Sequence, residues 1–80
     1  MAERYFLKFN AEQDKRPYAL PEKLKDELLA MGGVQICSKN YEKGLNLPVI
    51  VIEMEKDKVD MVKSLEGVVS LYNNKQFNHF

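Results

Sequence analysis

Eighty residues carrying twelve basic and twelve acidic side chains make one domain with no formal net charge. That balance removes the general attraction to phosphate on which nucleic-acid binding rests, and the attraction to an anionic membrane surface with it. With 45% hydrophobic and 30% charged residues, the composition is that of an ordinary globular chain, large enough for two packed layers but not for a large internal pocket.

The first segment, RYFLKF, alternates Tyr5, Leu7 and Phe9 against Arg4, Phe6 and Lys8, which predicts a half-buried strand. NAEQDKRPYA is polar, contains a proline and reads as a loop. In LPEKLKDELLAMGG, Leu20, Leu24, Leu28 and Met31 recur at helical spacing, Pro21 falls in the first turn and Gly32-Gly33 ends the helix. VQICSKNY alternates again, EKGLN supplies a turn built on Gly44, and LPVIVIEME is a β-branched run with no helical period, so the pair predicts a hairpin. DKVDMVKSLEG offers Asp57 as N-cap and Asp60 as the capping-box acid. Val59, Val62 and Leu65 share one face of this helix, Met61 lies at its margin, and Gly67 is the stop. VVSLY is the last strand, and residues 73–80 form a C-terminal tail of the single domain 1–80.

The predicted order is therefore β-α-β-β-α-β, an α+β class. Two right-handed crossovers place both helices on one face of a four-stranded antiparallel sheet with its first and third strands central, the ferredoxin-like arrangement. In that register Tyr5, Leu7, Phe9, Ile50, Ile52, Met54, Val69 and Leu71 face the helices. The other face carries Phe6, Val49, Val51, Val68 and Tyr72 among Arg4, Lys8, Glu53 and Ser70. Such a partly apolar face with a charged rim is either scattered surface hydrophobes or a docking surface for another protein.

The residues that chemistry needs are few. His79 is the only histidine and stands next to the last residue, a poor place for a catalytic base that must be held against a nucleophile. Cys37 is the only cysteine and reads as a packed thiol rather than a reactive one or half of a disulfide. No clustered ligand set suggests a metal, and Gly32-Gly33 lacks the context of a phosphate-binding loop. Phe6 could serve as a base-stacking platform, but the K/R-G-F/Y signature of RNA-binding sheets is missing. The longest apolar run, LPVIVI, is too short to cross a bilayer. Catalytic, cofactor-binding and metal-binding residues are therefore all assigned as none, and the chain is expected not to be an enzyme.

YFLKF as first strand, GGVQ after the first helix, and VKSLEGVVSLYNN as helix, turn and valine-bearing last strand give a resemblance over nearly the whole length. The chain resembles the prodomains of subtilisin-like serine proteases and the free-standing inhibitors related to them. The resemblance implies a ferredoxin-like domain whose open sheet face packs on surface helices of a protease while the C-terminal tail lies in the substrate groove. Phe80 would then fill the pocket for the residue before the scissile bond and Phe77 the pocket three positions earlier. Asn78 and His79 would bond through their backbones as an added strand. The sheet-face contact is assigned to Phe6, Val49, Val51 and Tyr72. Where the family often carries acids just after the last strand, which cap protease helices, this chain has Asn73, Asn74 and Lys75.

The resulting expectation is a protein-binding inhibitor, or an inhibitory and chaperoning prodomain, monomeric when free and acting on a subtilisin-like serine protease. It would be cytoplasmic if the chain is complete and secreted with its protease if excised. The alternative is a small non-enzymatic regulatory or assembly domain that dimerises or binds another macromolecule through its open sheet face, with Phe77 or Phe80 folded back on its own domain.

Overall fold

The computed structural model describes residues 2–11 and 16–73. The elements run β1 (Glu3–Phe9), α1 (Glu22–Ala30), β2 (Gln35–Ile36), β3 (Val49–Met54), a 3-10 turn (Lys56–Lys58) leading into α2 (Val59–Lys63), and β4 (Val68–Asn73). All four strands join one antiparallel sheet in the order β2-β3-β1-β4, which places the first and third strands at its centre.

Alternation in the sequence becomes two-sidedness in the sheet. Leu7 pairs with Ile50 on one side and Leu71 on the other, and all three are fully buried. Tyr5, Phe9, Ile52 and Met54 point the same way, as period-two side chains on paired strands must. Leu24 and Leu28 of α1 and Val59 and Val62 of α2 join this same core, so both helices lie on one face, and among the described residues no helix covers the other. Each such side chain contributes about 1.5–3 kcal/mol by leaving water.

Helix α1 follows its predicted punctuation. Pro21, extended at ψ 135°, precedes the first helical residue, and its carbonyl accepts the Lys25 N–H at 2.9 Å. Gly32 and Gly33 then take φ of 71° and 73°, a conformation that side chains with a Cβ resist.

The second helix departs from expectation. Asp57 does not cap it but lies inside the 3-10 turn, and no side-chain cap bond is made at either start. The chain enters from Glu55, which is still extended at ψ 150°, so the tight turn begins before Asp57. Val59 and Val62 are buried as predicted, and Leu65 packs partly on the core.

The hairpin is the larger departure. Strand β2 is two residues long, continued only by the Cys37 N–H donating to the Val51 carbonyl at 2.8 Å and the Val51 N–H donating to Ser38 Oγ at 2.7 Å. Asn40 then takes φ 59° and its carbonyl accepts the Gly44 N–H at 2.8 Å, so the turn runs from Asn40 to Gly44. Beyond it the chain pairs with the segment before α1. Tyr18 and Leu45 exchange both backbone bonds, at 2.8 and 3.0 Å, and the Leu20 N–H donates to the Tyr41 carbonyl at 2.7 Å. Tyr41 thus leaves the strand predicted for it, because this second pairing buries Tyr18, Leu20 and Leu45.

A bulge between Lys8 and Phe9 corrects the last strand. Lys8 pairs with Ser70 and Phe9 with Val68, so Val69 is the extra residue. One inserted residue flips the side-chain parity locally. Val68, expected on the open face, packs against the core, and Val69, expected inside, is 57% exposed.

Candidate functional site

The open face is built from three strands in register. Phe6 stands between Val51 on β3 and Tyr72 on β4, and the Cys37 end of β2 meets Val51 on its far side. One row along, Lys8 lies between Val49 and Ser70, and in the other direction Arg4 faces Glu53. The sheet therefore brings Phe6, Val49, Val51 and Tyr72 together, each half-buried. Arg4 Nε lies 3.4 Å from Glu53 Oε1 with both side chains well exposed, so the pair orders the rim more than it stabilises the fold. Cys37 is half-buried at the edge of this face, its thiol 3.9 Å from the Gln35 carbonyl, rather than packed in the core.

The end of β4 is fixed from inside. Asn73, assigned from sequence to the tail, is the last residue of the strand and is buried opposite Tyr5. Its side-chain nitrogen donates to Glu3 Oε1 at 3.4 Å. Burial, with the Glu3 carboxylate second, pushes the Tyr5 phenol pKa up, and the neighbouring Asn73 side chain opposes that shift. Asn73 is committed within its own domain and does not present a cap to another protein's helix. Phe77, Asn78, His79 and Phe80 lie outside the described residues.

A groove of about 900 Å³ opens at the other end of the same face, where β1 ends and β3 begins. Lys8, Arg16, Leu47, Val49, Val69 and Tyr72 contribute to its walls. Sequence reading found Val49 and Tyr72 but not Leu47 or Val69, which are 62% and 57% exposed. No local pattern marks them, since the groove assembles from four separate segments and depends on the bulge.

Among the described residues no group of three or more His, Cys, Asp or Glu side chains could hold a metal ion, and no helix is long and apolar enough to cross a membrane. The chain matches no known family model, no curated protein and no solved structure.

Proposed function

We propose that this domain is a ferredoxin-like, protein-binding inhibitor of a subtilisin-like serine protease, or the inhibitory prodomain of one. The observation that carries the reading is the sheet face turned away from both helices, with the Val51, Phe6, Tyr72 row at its centre. The β-α-β-β-α-β order and the central β1 and β3 support the fold assignment.

The face would dock on the protease surface while Phe77 and Phe80 enter two apolar pockets of the substrate groove. In an extended segment side chains alternate, so residues three apart point to opposite sides, as two separate pockets require. Each aromatic desolvated there contributes about 1.5–3 kcal/mol. Asn73, buried at the end of β4 and bonded to Glu3, is the last described residue before the tail. Such an inhibitor is a monomer when free, and it acts only while its domain stays folded.

The test is steady-state hydrolysis of a peptide substrate by a broad subtilisin-type protease titrated with the intact protein. Competitive inhibition, with apparent KM rising at constant kcat, supports the reading. Unchanged kinetics at micromolar protein would remove it.

One observation favours a second reading, an assembly domain. Among the described residues strand β4 stands at the edge of the sheet with β1 as its only strand neighbour, and edge strands are templates for pairing with another chain. A concentration-dependent dimer by size-exclusion chromatography, in which the tail is shielded, would prefer it.

A further inference from the structure

The groove where β1 ends shares Val49 and Tyr72 with the docking face, but its remaining lining is not used by the inhibitor reading, and its chemistry points elsewhere. Its volume of about 900 Å³ falls among sites for small ligands, which run from about 300 to 1,000 Å³. Among the described residues its charged lining side chains are both cations, Lys8 from β1 and Arg16 from the segment before Tyr18. Among the described residues neither cation has an acidic partner within salt-bridge distance. The same groove carries apolar surface kept in water: Leu47 and Val69 are both more than half exposed, and the bulge turns Val69 outward.

An extended peptide would need unpaired main-chain groups along the floor. Those of the adjoining strand end are taken, since the Phe9 N–H donates to the Pro48 carbonyl at 2.9 Å and the Asn10 N–H to the Gly67 carbonyl at 2.8 Å. The lining suits a ligand recognised by an apolar body and one anionic head.

We propose that this groove binds a free medium-chain fatty acid, its carboxylate paired with Lys8 and Arg16 and its acyl chain laid against Leu47, Val49 and Val69. Arginine offers a bidentate fork to a carboxylate, and the lysine adds a point charge.

The experiment is a titration of the intact protein, followed by amide chemical shifts, with decanoate below its aggregation concentration and separately with decyltrimethylammonium. The Lys8→Glu/Arg16→Glu double variant and a Leu47→Ser variant are titrated alongside. All three positions are exposed, and thermal unfolding confirms that each variant remains folded. The expected result is saturable decanoate shifts centred on Val49, Val69 and Tyr72, about tenfold or more weakened in the double variant and weakened in Leu47→Ser. The ammonium amphiphile should produce no saturable shifts there. Equal binding of the two amphiphiles, undiminished decanoate binding by the folded double variant, or shifts centred on another surface would overturn the assignment. Because none of these readouts involves a protease, failure here leaves the inhibitor reading standing, and the reverse.

Discussion

Phe6 and Tyr72 stand directly opposite one another on β1 and β4, on the sheet face turned away from both helices. With Val51 on the far side of Phe6 they form an apolar row across three strands that the fold itself leaves half-open. An aromatic cross-strand pair contributes to sheet stability by about 0.2–1 kcal/mol, far less than a core contact does.

Phe6→Ala should separate binding from folding. The side chain is half-buried, so the loss in unfolding free energy should stay under about 1.5 kcal/mol, as for substitutions outside the core. Inhibition of the protease should weaken by about tenfold or more, as for a central interface aromatic. Paired denaturant melts and inhibition constants check this, and an unchanged inhibition constant would detach the sheet face from the interface.

Leu7→Ala should do the reverse. Leu7 is fully buried between Ile50 and Leu71, and such truncations cost about 2–5 kcal/mol. A domain of this size has a total of about 4–12 kcal/mol. The variant should inhibit at first and then lose inhibition with time as the protease cleaves its unfolded fraction, followed by a progress curve and by gel.

Gly67→Ala isolates backbone strain. Gly67 has φ 94°, and an added Cβ would meet no atom within 4 Å, so only the conformation resists the change. A loss of about 1–2 kcal/mol is expected, with no change in which residues are buried. Chemical denaturation measures it.

The Tyr5 phenol gives a pH dependence with a definite sign. Burial raises its pKa above the ordinary 10.0, so the folded state holds the proton more tightly than the unfolded chain does. The stability from this site is complete below pH 10.0 and is lost as pH rises from there through the raised folded value. Tyr5→Phe should flatten that alkaline decline relative to the parent. Unfolding midpoints measured from pH 8 to pH 11 compare the two proteins.

The legible parts of the sequence were those with a local period. RYFLKF and VIVIEM needed only alternation, and α1 needed its leucine stripe, Pro21 and the two glycines. What was hidden depended on pairing across the chain. Tyr18 and Leu45 meet over 27 residues, and that bridge shortens β2 and draws Tyr41 away from it, which no window around either residue can show. The exchange of Val68 and Val69 has the same origin, since a strict period of two presumes that no residue is inserted. Phe6, Val49, Val51 and Tyr72 could be grouped from sequence because they lie on regular stretches. Lys8, Arg16, Leu47 and Val69 could not be grouped as a groove.

If the aromatic tail is a substrate mimic that works only on its folded domain, removing it must remove inhibition. The most direct measurement compares inhibition of a subtilisin-type protease by the intact protein and by a version lacking Phe77 to Phe80, both verified as folded by circular dichroism. The account predicts that the intact protein inhibits competitively and that the shortened one loses inhibition by about a hundredfold or more, the value of two desolvated aromatics. Equal inhibition by both, or inhibition by neither, would contradict it.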